Sequence, residues 1–143
     1  MITCTRRIQF CSGHRVFGHE GKCRHLHGHN YVALVTAGAD ELDGIGRVID
    51  FGVLKERIGG WIDREWDHGC ILWQRDDEAH RAVESCQPAK VFSLPTNPTA
   101  ENMADYLLRI VCPRELEGTG VTVTAVRLWE TENCHADATL HGQ

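Results

Sequence analysis

Polar and apolar residues alternate from the start of the chain. Ile2, Cys4, Ile8 and Phe10 share one parity, and Thr3, Thr5, Arg7 and Gln9 share the other. A period of two is that of a half-buried strand, and only Arg6 interrupts the apolar side. His14 keeps the parity of Phe10, with Gly13 the expected end of regular pairing. Residues 15–26 are rich in charge, Gly and His and predict a loop. From His27 to Ala37 a second strand is predicted, with Tyr31, Val32, Leu34 and Val35 supplying β-branched and aromatic character.

The period then changes. After a turn region from Gly38 to Gly46, Asp50 is placed to cap a helix in which Phe51, Leu54, Ile58, Trp61 and Ile62 recur at helical spacing. The Gly59-Gly60 pair weakens that helix, each Gly costing about 1 kcal/mol against Ala, so a bend or break is expected there. Between residues 67 and 90 the pattern is weaker: Asp67-His68-Gly69 reads as a loop, Asp76 to Gln87 as a short polar helix and Val91 to Leu94 as a short strand. Thr99 is a good cap for a helix with Met103, Leu107, Ile110 and Val111 on one stripe, ended by Pro113 and Gly118. A last strand runs from Val121 to Thr131, with Val121, Val123, Ala125 and Trp129 on one face and Val126, Leu128 and Glu130 on the other. This order predicts an α+β class with a mainly antiparallel sheet.

Length and composition narrow the function. The 143 residues predict one domain over 1–143. Fifteen Lys and Arg against twenty Asp and Glu leave a net charge of −5, which argues against general nucleic-acid binding. No apolar run approaches the roughly 20 residues of a membrane span. The N-terminus lacks the unbroken apolar stretch of a signal peptide. Seven cysteines, an odd number with no CxxC pair, predict reduced thiols and a cytoplasmic location.

The chemistry concentrates in Cys23-Arg24-His25-Leu26-His27-Gly28-His29. On a strand, His27 and His29 project to one face, and Gly28 leaves room between them. Two imidazoles side by side suit a metal, and a catalytic zinc takes three protein ligands and keeps one position open. His14 is favoured as the third ligand because it continues strand parity, with His19 and His25 as alternatives. Iron, copper or nickel would also accept imidazoles. Cys23 lies between Lys22 and Arg24, where neighbouring cations favour a thiolate able to act as base or nucleophile. The other six cysteines are expected to be packing residues. Asp67-His68 can pair in a loop as a carboxylate-oriented imidazole for acid/base work. Glu130 ends an apolar strand face, either exposed at the strand end or as a buried carboxylate awaiting a cationic or amidine-like ligand.

Taken together, these segments resemble the 6-pyruvoyltetrahydropterin synthase and 6-carboxytetrahydropterin synthase family along nearly the whole chain. The resemblance is carried by His14, by Cys23 with His27-Gly28-His29-Asn30-Tyr31, and by Val48-Ile49-Asp50-Phe51. It continues through Asp67-His68 and Pro98-Thr99-Ala100-Glu101-Asn102 to Trp129-Glu130-Thr131. It implies a T-fold, an antiparallel four-stranded sheet with two helices on one face. Subunits of such proteins assemble into a barrel, commonly as a homohexamer made of two trimers. It also implies Zn2+ on His14, His27 and His29, Cys23 as catalytic base, Asp67 with His68 as a proton relay, and Glu130 as the pterin anchor. Thr99 and Glu101 would be further substrate contacts. Sites between subunits would let Cys23 and His68 come from different chains. The four-residue step from Cys23 to His27 resembles the bacterial 6-carboxytetrahydropterin synthases. The implied substrate is 7,8-dihydroneopterin triphosphate, with Arg15, Lys22 and Arg24 as candidate triphosphate contacts. A 6-pyruvoyl product, or a non-catalytic pterin- or purine-binding protein, is the alternative. In place of the family's frequent Leu-Asn, Gly69-Cys70-Ile71-Leu72-Trp73 follows His68, which changes the expected shape of that loop.

Overall fold

The computed structural model describes residues 1–140. β1 (Ile2–His14) and β2 (His27–Ala39) form a long antiparallel ribbon, paired from Ile2 opposite Ala39 to His14 opposite His27. Pairing does not end at Gly13. That residue lies opposite Gly28, and a Cβ on Gly28 would meet the Ser12 carbonyl at 3.1 Å, backbone against backbone. Ile8, Phe10, Ser12 and His14 are buried on one side of β1, and Tyr31, Ala33, Val35 and Ala37 answer them from β2.

A helix, α1, follows in three segments: Phe51–Leu54, a wide π-type turn Lys55–Gly59, and Gly60–Glu65. Asp50 caps it by accepting the Gly52 N–H at 2.7 Å. Leu54, Ile58, Trp61 and Ile62 face inward as their spacing predicts, whereas Phe51, in the first turn, is half exposed. The Gly59-Gly60 pair does not break the helix. One turn widens there instead, the accommodation that π-bulges provide.

The segment after α1 builds β3 (Gly69–Trp73), α2 (Asp77–Glu84) and β4 (Val91–Leu94). β3 runs parallel to β1 at Ser12–His14, and β4 runs parallel to β3. Gly69–Trp73 is therefore a strand starting directly after His68. A second long helix, α3, joins Ala100–Tyr106, a wide turn Leu107–Val111, and Cys112–Glu115. Thr99 caps it through the Asn102 N–H at 3.1 Å. Pro113 lies inside this helix and does not end it. A proline ring clashes with the carbonyl four residues back, here Arg109, and that carbonyl belongs to the widened turn. The widening also shifts the helix phase, so Leu108 is buried and Ile110 is 41% exposed.

β5 (Thr122–Thr131) pairs antiparallel with β2, and β6 (Cys134–Thr139) with β5. The sheet order is β4-β3-β1-β2-β5-β6. Four antiparallel strands thus form the expected sheet, and two short parallel strands extend it. The expected faces of β5 need correction. A bulge opposite Thr36 and Ala37 reverses the parity, so Val123 is buried on the same side as Val126 and Leu128. α1 and α3 share one core with the sheet, in which Phe10 stacks on Tyr31 with ring centroids 5.0 Å apart. No helix among the described residues is long and apolar enough to cross a membrane.

Candidate active site

The first site elements are three imidazoles on the core side at one end of the β1–β2 ribbon. His14 and His27 are cross-strand partners, and His29 follows His27 on the same face. Their ligand atoms all lie within 4.8 Å of one another. His14 Nδ1 lies 2.8 Å from the Pro98 carbonyl, and His27 Nδ1 lies 2.6 Å from the His25 carbonyl. A carbonyl only accepts, so each Nδ1 carries a proton, and in the neutral ring Nε2 then presents a bare lone pair. Those two Nε2 atoms face each other at 3.1 Å, and two lone pairs cannot hydrogen-bond. His29 Nε2 is buried without any partner. A cation that all three nitrogens can share fits this donor set. Burial lowers His14 to about 4 against the Pro98 hydrogen bond, helped by the neighbouring His27 and His29. Burial also lowers His29, although Glu130 pulls it the other way. Neutral imidazole is the form that ligates.

His19 and His25 do not complete the triad. His19 Nδ1 accepts the Gly21 N–H at 2.8 Å and closes a turn, and His25 contributes only its carbonyl to His27.

Glu130 reaches the same place from β5. Its Oε1 lies 3.7 Å from His29 Nε2, and its side chain is 20% exposed. It is therefore a half-buried carboxylate rather than a free strand end. Together with His29, Gly28 and Trp129 it lines a groove of about 850 Å³. Tyr31, next on the same face of β2, packs its ring edge-on against His29 at 5.4 Å. Its hydroxyl is buried and unpaired, a state that costs about 1–3 kcal/mol when no ligand relieves it. Burial raises its pKa, and the nearby Glu130 carboxylate adds to the effect.

Asp67 and His68 form a pair, with His68 Nδ1 at 2.8 Å from Asp67 Oδ2. The backbone of Cys11 holds both. Its N–H donates to Asp67 Oδ1 at 2.9 Å, and its carbonyl accepts the His68 N–H at 2.7 Å. His68 adopts φ 58°, the left-handed region that non-glycine residues rarely enter. The conformation turns its imidazole outward, 79% exposed. Burial would raise the Asp67 pKa, but the Cys11 N–H and His68 overcome it and lower it. His68 and His29 line one shallow cavity of about 350 Å³ across Gly13 and Gly28.

Cys23 sits in a short 3₁₀ turn, Lys22–Arg24. Its carbonyl accepts the Val16 N–H at 2.8 Å, which straps the loop back to the end of β1. Thr99 and Glu101 lie at the start of α3, next to the Pro98 carbonyl that holds His14. The Thr99 hydroxyl serves the helix cap, and Glu101 is exposed. Of the basic candidates, Arg15 is committed elsewhere. It grips the buried Asp76 through two hydrogen bonds of 2.6 and 2.5 Å and reaches Glu78 at 3.1 Å. Asp76 also caps α2 through the Ala79 N–H. Asp76→Ala removes the pair and the cap together. It should lower the free energy of unfolding in urea by about 3 kcal/mol; an unchanged midpoint would leave the clamp without structural weight.

The expectation that the other six cysteines pack holds only in part. Cys112 is buried and pushed up to about 12, and burial pushes Cys70 up to about 11, but Cys86 and Cys134 are exposed. Cys11, Pro98 and Tyr31 were absent from the sequence-derived site. Two of them act through the backbone, which no side-chain motif reveals. Tyr31 enters the sequence reading as strand character and as the end of the His27–Tyr31 motif, without a role at the site.

Residues 3–140 match the family model described as 6-pyruvoyl tetrahydropterin synthase. The chain is 45% identical over 137 residues to the 6-carboxy-5,6,7,8-tetrahydropterin synthase of Rickettsia bellii, covering 96% of this chain and 99% of the relative. It is 32% identical to the protein of the same description from Aquifex aeolicus, covering 93% and 94%. Among solved structures, an uncharacterized protein from Wolinella succinogenes superposes with a TM-score of 0.82 at 24% identity over 98% of each chain. The 6-pyruvoyl tetrahydropterin synthase of Caenorhabditis elegans gives 0.69 at 24% identity, covering 96% and 94%. These two likenesses concern the fold.

Proposed function

This chain belongs to the 6-pyruvoyl tetrahydropterin synthase family, and from that premise we propose that it is a zinc-dependent 6-carboxy-5,6,7,8-tetrahydropterin synthase. The substrate is 7,8-dihydroneopterin triphosphate, and acetaldehyde and triphosphate leave, as in an early step of queuosine or another 7-deazaguanine pathway. The observation that carries the reading is the set of three converging imidazoles, with the Nδ1 atoms of His14 and His27 tied to carbonyls and His29 Nε2 unpartnered, beside a half-buried carboxylate.

His14, His27 and His29 would hold the zinc. When bound, it would act as a Lewis acid toward the substrate's side-chain hydroxyls. Glu130, an acceptor-only group, takes the ring N–H and 2-amino donors of the pterin. Cys23 takes the proton from the side-chain carbon next to the ring. The electron pair left there passes toward the ring C=N bond, and His68, oriented by Asp67, delivers a proton to the ring nitrogen. Loss of triphosphate from the third side-chain carbon leaves two adjacent carbonyls. Addition of one water to the carbonyl next to the ring and cleavage of the bond to the second carbon leave a carboxylate on the ring. The released two-carbon piece takes up a proton and departs as acetaldehyde. Thr99 and Glu101 are assigned to the substrate side of the same site, at the entrance of α3.

Assembly into a barrel, as a homohexamer, is part of this reading. Two features support it among the described residues. The outer edge of β1 pairs with β3 only at Ser12–His14, and β6 pairs on one side only. Open edges of this kind invite pairing with another chain, and the outward His68 would then serve a neighbouring copy.

Mass spectrometry of the pterin formed from 7,8-dihydroneopterin triphosphate by zinc-loaded protein tests the reading. A 6-carboxytetrahydropterin signal that chelation abolishes is expected. A 6-pyruvoyl product would assign the chain to the sister activity, and no turnover by an intact, zinc-loaded oligomer would leave a binding protein.

A further inference from the structure

We propose that Asn97 is a positioning residue for Cys23, its side-chain amide fixing the loop that carries the thiol relative to the imidazole triad; the inference rests on the functional reading above. The loop itself gives the first observation. Residues 15–26 leave β1 at His14 and return to β2 at His27, with Cys23 between them. None of these residues is buried, so no apolar anchor holds the loop, and ordering it costs conformational entropy. Its own bonds tie it only to itself: Val16 N–H to the Cys23 carbonyl at 2.8 Å and His19 N–H to the Val16 carbonyl at 3.1 Å. Among the described residues, the hydrogen bonds that tie residues 16–24 to the rest of the chain run to Asn97.

The form of that tie is the second observation. The Phe17 N–H donates to Asn97 Oδ1 at 3.0 Å, and Asn97 Nδ2 donates to the Phe17 carbonyl at 2.8 Å. One side chain thus matches the donor and the acceptor of one peptide residue, which a carboxylate, having no donor, cannot do. Val16 follows His14 by two residues, which limits how far the loop can travel but not its direction. The paired bonds at Phe17, next to the residue that straps Cys23, set the direction.

The main chain of Asn97 serves the other half of the site. Its carbonyl accepts the Thr99 N–H at 2.8 Å and Asn102 Nδ2 at 2.9 Å. These bonds close a tight turn around Pro98, whose ring already restricts the backbone. The Pro98 carbonyl so fixed is the one that holds His14 Nδ1. Asn97 therefore has its side chain on the thiol loop and its backbone on the support of the triad. Asn97 and Phe17 both lie outside the hydrophobic core, and Phe17 is 50% exposed. The tie orders a surface loop rather than buries a side chain.

Asn97→Ala removes both bonds to Phe17 and keeps the carbonyl, so the Pro98 turn and the zinc should stay. Asn97→Asp keeps the size and Oδ1 but turns an oxygen toward the Phe17 carbonyl. In both variants kcat should fall by about 10²-fold, the effect of misplacing a reacting group by about 1 Å. KM should hardly change, since Glu130 anchors the ring from β5. A readout that needs no turnover is alkylation by iodoacetamide followed cysteine by cysteine through peptide mass mapping. Cys23 should react severalfold faster in a loosened loop, whereas the half-buried Cys70 and the buried Cys112 should react as in the wild type. Wild-type kcat, or an unchanged Cys23 rate, in both variants would overturn the proposal. Faster reaction of Cys112 would show general loosening, and lost zinc would place the effect at the triad; either result overturns it as well. A wild-type chain without turnover would remove the functional reading, while the alkylation rates would still decide whether Asn97 fixes the loop.

Discussion

Cys23→Ala is expected to lower kcat by about 10²–10⁴-fold, the contribution of a positioned general base, while the protein keeps its zinc and its fold. The reason lies in how the loop is held. Cys23 is fixed by its carbonyl, which accepts the Val16 N–H, and alanine offers the same carbonyl. The substitution therefore removes the sulfur and leaves the strap. Steady-state turnover with metal content measured on the same preparation checks it. Retained turnover would take the base role from Cys23, and lost zinc would show that the loop, not the thiol, had been damaged.

The second large effect is expected at His27. Its Nε2 faces His14 Nε2 at 3.1 Å, so His27→Ala deletes one corner of the triad and leaves His14 and His29. Loss of an outer partner of a metal ligand typically costs about 10–100-fold in affinity, and loss of the ligand itself should exceed that. Zinc should fall to background after dialysis, and turnover with it. Full zinc occupancy by elemental analysis would break the assignment of these imidazoles. Arg15, one residue beyond His14, keeps its grip on Asp76 in this variant, so the fold around the site should survive.

The triad was legible because strand parity is a strong constraint. His14 shares the parity of Ile8 and Phe10, and His27 and His29 share that of Tyr31, so one buried face carries all three. Caps were legible too, since Asp50 and Thr99 act locally through their own oxygens. What failed depends on partners distant in sequence or on a broken period. β6 escaped notice because Cys134 to Thr139 offers only Ala136 and Ala138 as its inward residues. The bulge on β5 and the two widened helical turns each insert a phase shift, which misplaced Val123 and Ile110. The Asp67–His68 pair was recognised as a dipeptide. Its left-handed backbone and its attachment to Cys11, 56 residues away, belong to the tertiary fold.

The orienting contacts have one property in common. Pro98 and His25 hold their imidazoles, Cys11 holds the acid–base pair, and Cys23 is itself strapped, in every case through peptide N–H or C=O groups. A point mutation exchanges side chains and cannot delete a carbonyl. An alanine scan would therefore register the imidazoles, the thiol and the carboxylates and, Asn97 apart, pass silently over the framework that aims them.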